Sequence, residues 1–124
     1  FIPLFKSIKL FSRQGRKFYR FIINTTGIRP NHSGLYYQAL VHKSVGRRKK
    51  SSRKPFNNER LEFLGDAVLG TIVAQELYAL YPTEDEGFLT KTRSRIVSRT
   101  NLNQIARDMG LQNWMWYHPP GDIT

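Results

Sequence analysis

Apolar residues recur at helical spacing along most of the chain, and no sustained period-2 alternation interrupts them. No Asn-Gly or Asp-Gly pair signals a hairpin. The pattern predicts an all-α protein. A first helix fits Arg16–Thr25, before Gly27 and Pro30 break the chain. A second fits Ser33–Ser44, SGLYYQALVHKS, with Leu35, Ala39 and Leu40 on its apolar side. Val45 to Asn57, VGRRKKSSRKPFN, is basic, low in complexity and too polar to pack, so it reads as a flexible loop. A long helix runs from Asn58 to Tyr81 and must stop at Pro82. Thr83-Glu84-Asp85-Glu86 reads as a capping box for a fourth helix, Glu86–Ser98. That helix has Phe88, Leu89, Ile96 and Val97 as apolar positions and Lys91, Arg93, Arg95 and Arg99 as a basic face. Thr100 is the expected cap of a fifth helix, Asn101–Met109, which Gly110 ends. The aromatic, Pro-rich tail QNWMWYHPPGDIT reads as a packed turn followed by a loop.

The long helix opens with NERLEFLGDAVLG, residues 58 to 70. Glu59, Glu62 and Asp66 stand at i, i+3 and i+7, which places them within an arc of about 60° and a rise of about 10 Å. Leu69, Val73 and Leu77 continue the same stripe. The positions between the acids are almost all apolar, and a helix apolar nearly all round is expected to be buried. Acids crowded on a buried helix repel one another and lose hydration, and a divalent metal compensates several at once. The competing reading is an ordinary amphipathic helix with three solvated acids. Gly65 and Gly70 cost about 1 kcal/mol each relative to Ala inside a helix, so either a neighbouring backbone or a ligand is expected to approach closely there.

Composition narrows the chemistry. The 124 residues make one domain, or most of one, with enough chain to bury a core. With no cysteine, disulfides and thiolate sites are excluded, and any metal site is oxygen-rich, favouring Mg²⁺, Mn²⁺ or Ca²⁺. No apolar run is expected to reach the length of a membrane span. The net charge of +11 is unevenly placed. Residues 1–58 carry fourteen Lys or Arg and no acid, whereas residues 59–124 carry six and nine. The basic half calls for a polyanionic partner, nucleic acid or an anionic membrane. FIPLFKSIKLFSRQGRKFYRFI, at the N-terminus, fits an RNA-facing or solvated basic segment, an organellar transit peptide or an interfacial helix.

NERLEFLGDAVLG resembles the signature of the ribonuclease III family of double-stranded-RNA endonucleases. ALVHKS, Ala39–Ser44, resembles the segment before it; DEGFLTKTRSRIVSRTNL, Asp85–Leu102, and NQIARDMGL, Asn103–Leu111, resemble the segments after it. The resemblance covers about Leu35 to Leu111, and residues 1–30 add little to it. It implies the N-terminal part of the family's helical endonuclease domain, here residues 31–124, behind a basic, partly helical segment 1–30. It further implies Mg²⁺-dependent (or Mn²⁺-dependent) hydrolysis of both strands of duplex RNA by a cytoplasmic homodimer that processes ribosomal and messenger RNA precursors, with no membrane partner. By position, Glu62 and Asp66 match metal-binding acids, and Asp66 the catalytic one. Glu59 and Glu86 match acids lining the RNA side of the site. Phe63 matches an aromatic residue that inserts into the partner subunit, and Gly65 points to the same contact. The alternative is a relative that has lost catalysis and serves as an RNA-binding or scaffolding subunit.

Cleavage of this kind requires no histidine base, so His32, His42 and His118 need no catalytic role, and His42 reads as a structural hydrogen-bonding residue. Duplex RNA is read through phosphates and 2′-hydroxyls, which suits Arg47, Arg48, Lys49, Lys50, Arg53, Lys54, Arg93, Arg95 and Arg99. The family's second pair of acids, an Asp and a Glu three residues apart on a later helix, is not found up to Thr124, and Asp122 lacks the partner. Two of four core ligands are therefore expected here. The 124-residue chain alone should leave a long RNA duplex uncut in Mg²⁺ under conditions in which the intact protein cleaves it, as a gel assay of the two would read.

Overall fold

The computed structural model describes residues 13–45 and 56–115. Five α-helices follow in order: α1 (Arg13–Thr26), α2 (Ser33–Ala39), α3 (Glu59–Leu80), α4 (Glu86–Ile96) and α5 (Arg99–Asp108). A 3₁₀ turn, Leu111–Asn113, comes after them, and no strand occurs among the described residues. The all-α expectation holds. The chain divides into two compact units, Phe1–Glu59 with Asn113–Thr124, and Arg60–Gln112.

In the first unit, α1 is amphipathic and starts three residues earlier than the pattern predicts. Ile22 on its inner side is only 4% exposed. Phe18 and Phe21 sit against Trp114, with ring centroids 5.4 and 5.2 Å apart, and the edge of Tyr37 meets Phe18 at 6.2 Å. Phe56 stacks on Tyr37 at 6.0 Å. The helix ends as Gly27 adopts φ 71°, a left-handed conformation that glycine takes without the Cβ clash, while its N–H bonds Ile23 O at 2.8 Å.

Helix α2 stops at Ala39, five residues short of the expected end, and Leu35 is exposed rather than on a buried side. The backbone finds better partners outside the helix. Asn58 N–H donates to Val41 O at 2.8 Å, Asn58 Nδ2 to Ala39 O at 3.3 Å, and Gln38 Nε2 to Asn57 O at 3.0 Å. Val41 is buried by this change of direction. The end of the basic segment, expected to be too polar to pack, therefore packs at Phe56 and Asn57.

In the second unit, α3 spans 22 residues, one fewer at each end than the expected Asn58–Tyr81, and turns out at Tyr81-Pro82. It is not buried, contrary to expectation. Leu77 reaches 4% exposure, whereas Phe63, Leu64, Val68, Ile72, Tyr78 and Leu80 stay exposed. The helix is about 33 Å long, against about 16 Å for α4 and 15 Å for α5, so within this unit the two short helices cover only part of it. Ala74, Leu77 and Tyr78 face Leu89, Thr90 and Arg93 of α4 across a shallow recess, and the Tyr81 and Phe88 rings meet edge-on at 5.2 Å. By length and composition α3 is also long and apolar enough to cross a membrane, which corrects the sequence expectation. The charges that obscured this stand mostly in its first two turns.

The caps differ from those expected. Asp85, not Thr83, caps α4, its Oδ1 accepting from Phe88 N–H at 2.8 Å. No reciprocal acid stands three residues on, because that position is Phe88. Ser98, not Thr100, caps α5, accepting from Asn101 N–H at 3.3 Å, and Asn101 Nδ2 returns to Ile96 O at 2.6 Å. Gly110 at φ 74° ends α5 as expected. Asp85→Ala and Ser98→Ala should each destabilise the fold by about 1 kcal/mol. Thr83→Ala and Thr100→Ala should change it by no more than about 0.3 kcal/mol, measured by urea unfolding.

Candidate functional site

The expected site residues lie mostly on α3, and helical periodicity decides what each can reach. Glu62 and Asp66 are one turn apart on the azimuth that Leu69, Val73 and Leu77 occupy further along. Toward the C-terminal end that azimuth meets α4; at Glu62 and Asp66 it is open, and both residues are exposed. Among the described residues neither carboxylate has a hydrogen bond or ion pair. Two unengaged carboxylates one turn apart are hard oxygen donors suited to a divalent cation. The described residues bring no third acid or histidine to them.

Glu59 has a different environment. Its Oε1 lies 3.9 Å from Lys43 Nζ, and its Oε2 accepts from Asn57 Nδ2 at 3.2 Å. Asn57, 6% exposed, also accepts Glu59 N–H at its Oδ1, 3.1 Å away, closing a local turn that starts α3. Glu59 is thus held in place by two neighbours while its side chain remains about half exposed. Glu86 opens α4 and accepts from Thr90 Oγ1 at 2.6 Å, at the helix end where a carboxylate is electrostatically favoured. His42 is structural here, as expected: Nδ1 accepts Ser44 N–H at 3.2 Å and lies 2.8 Å from Ser44 Oγ. Asn57 and Lys43 were not singled out in the sequence. The one signal was an Asn pair directly before the helix, a favoured residue type at that position.

Phe63 is 82% exposed, on a helix whose apolar residues Leu64, Val68 and Ile72 form an uncovered row. A Cβ added at Gly65 or Gly70 would meet nothing within 4 Å. The close backbone approach expected at these glycines does not occur among the described residues. Arg93 and Arg95 are exposed in the last turn of α4, and Lys91 and Arg99 are exposed beside them in sequence. Arg47, Arg48, Lys49, Lys50, Arg53 and Lys54 lie outside the described residues, as does His118.

Residues 32–123 match the family model described as Ribonuclease-III-like. The chain belongs to the ribonuclease III family. The sequence is 42% identical over 111 residues to the Ribonuclease 3 of Zunongwangia profunda, covering 90% of this chain and 45% of that protein. It is 46% identical over 110 residues to the Ribonuclease 3 of Bacteroides fragilis, covering 89% and 38%. The chain spans less than half the length of these curated relatives. The fold is similar to the nuclease domain of Campylobacter jejuni ribonuclease III, with a TM-score of 0.68 at 33% identity over 80% of this chain and 64% of that one. That structure is described for flexibility in a region involved in dimer formation.

The Asn57 turn has a measurable consequence. Asn57→Ala removes the acceptor of Glu59 N–H and the donor to Glu59 Oε2 and should cost about 1–2 kcal/mol by thermal or urea unfolding. Lys43→Met, which removes a largely solvated ion pair, should cost less than about 0.5 kcal/mol in the same assay.

Proposed function

We propose that the intact protein is a divalent-metal-dependent endoribonuclease that cuts double-stranded RNA as a homodimer, with ribosomal and messenger RNA precursors as substrates. The observation that carries this reading is the pairing of a family match over residues 32–123 with Glu62 and Asp66 standing free, one turn apart, on the matched helix. A relative that had lost catalysis would have no need to keep these carboxylates exposed and without partners.

Glu62 and Asp66 would hold Mg²⁺, with Mn²⁺ as a substitute, and Asp66 is the acid assigned the catalytic role. When bound, the cation supplies Lewis-acid neutralisation of charge on the phosphodiester. Both acids sit in the interior of a regular helix, which fixes their Cα positions and limits the reorganisation needed to meet a ligand. Glu59, positioned by Asn57 and Lys43, and Glu86, at the start of α4, are assigned to the RNA side of the site. Arg93 and Arg95 are assigned to phosphate contact.

Homodimerisation rests on α3. Phe63 and the row Leu64, Val68 and Ile72 leave four large apolar side chains exposed together on one helix, the kind of surface that marks a protein contact. A second protein chain suits this surface better than a bilayer does. Asp66 lies only about 5 Å along the axis from the middle of the helix, and a charge near a bilayer centre costs at least about 2.5 kcal/mol. Gly65, whose missing Cβ leaves open space, is assigned to the same contact.

In the intact protein, Glu62→Gln and Asp66→Asn should each reduce Mg²⁺-dependent cleavage of duplex RNA by about 10²-fold or more while leaving duplex binding in EDTA unchanged. Wild-type protein that binds the duplex but leaves it uncut in Mg²⁺ and in Mn²⁺ would replace the nuclease reading with that of a scaffolding subunit.

A further inference from the structure

Helix α1 lies ahead of the residues that match the family model, yet it is built onto the domain. Its residues separate cleanly by azimuth. At about 100° per residue, Arg13, Arg16, Lys17 and Arg20 fall within an arc of about 100° and a rise of about 10 Å. All four are exposed. Phe18, Phe21 and Ile22 fall on the other side, where Trp114 and Tyr37 receive the two rings and Ile22 is almost fully buried. No Asp or Glu occurs anywhere before Glu59, so the sequence around α1 is uniformly basic.

This arrangement separates two partners that composition alone leaves equal. A helix lying in a membrane interface buries its apolar face among the lipid headgroups and acyl chains. In α1 that face is already committed to Trp114, Tyr37 and the interior of its own unit. Only the basic side is presented, and it presents charge without an apolar surface to insert.

We propose that the α1 stripe of Arg13, Arg16, Lys17 and Arg20 is a second duplex-RNA contact surface, which grips the phosphate backbone without reading sequence and adds affinity to the cleavage site. A nucleic-acid duplex carries a backbone charge about every 2 Å of its axis, so the length of the stripe is matched by more phosphates than it has cations. Contacts of this type hold and orient a duplex and carry no base information. The proposal rests on the reading of the protein as a duplex-RNA enzyme.

The test is fluorescence anisotropy of a random-sequence RNA duplex titrated with the intact protein in EDTA, across a series of salt concentrations. The triple variant R13Q/K17Q/R20Q should bind about tenfold more weakly at low salt. Its slope of log affinity against log salt should be shallower by about two to three, roughly one for each charge removed. Circular dichroism and Trp fluorescence should match wild type, because the changed side chains lie opposite the Trp114 contact. Should the triple variant fail to fold, R13Q/R20Q carries the same test with a slope change of about two. An unchanged slope and affinity in a folded variant overturns the proposal while leaving the nuclease reading intact. A wild-type protein that binds no duplex overturns both. Binding of wild type to phosphatidylserine vesicles, lost in the variant while RNA binding persists, overturns the proposal in favour of a membrane contact.

Discussion

The constraint on which the rest depends is the periodicity of α3. Twenty-two residues in one uninterrupted helix keep Glu62, Asp66, Leu69, Val73 and Leu77 on one side whatever surrounds them. The C-terminal half of that side is apolar and meets α4, which orients the helix. The N-terminal half is acidic and stays open, so the carboxylates inherit a fixed position from packing that takes place two to three turns away. The cost of gathering like charges is kept small by leaving them in water. A cation would offset what repulsion remains.

The same periodicity leaves a second side of α3 apolar and uncovered. Phe63 stays 82% exposed, and Leu64, Val68 and Ile72 stay about half exposed. Residues of this kind at this density are what a subunit interface requires, and the two internal glycines leave space for close approach. On the proposed reading one helix carries chemistry on one side and assembly on the other, which accounts for a large aromatic residue in sequence between Glu62 and Asp66.

The first unit solves a different problem, that of folding a segment with almost no negative charge. It relies on aromatic packing and directed hydrogen bonds. Phe18, Phe21, Tyr37, Phe56 and Trp114 form a linked set of ring contacts. Asn57 and Asn58 tie residues 38–41 to the start of α3. Asn57 is the buried polar residue of this arrangement, and its side chain is satisfied on both sides by Glu59. Repulsion among the cations is relieved by facing them to solvent, as on α1.

The five helices of the described residues, the extent of α3 to within one residue at each end, the breaks at Gly27, Pro82 and Gly110, and the hydrogen bonding of His42 were legible in the sequence. Each rests on local chemistry: backbone steric preference, a missing N–H, hydrogen bonds between neighbours in the chain. The acids Glu59, Glu62 and Asp66 could be singled out for the same reason, since spacing on one helix is a local property, whereas Glu86 was named only through the family resemblance. Three things were not legible, two of them decided by tertiary structure and one by competition between neighbouring caps. Helix α2 ends at Ala39 because carbonyls at 39 and 41 are claimed by Asn58, a partner 17 to 19 residues away that no local pattern announces. Asp85 and Ser98 prevail over Thr83 and Thr100 as caps because the preceding turns set which side-chain oxygen reaches the first free N–H. The exposure of α3 was misjudged because hydrophobicity states only that a surface seeks cover, and whether cover comes from the same chain depends on the length and placement of the helices beside it.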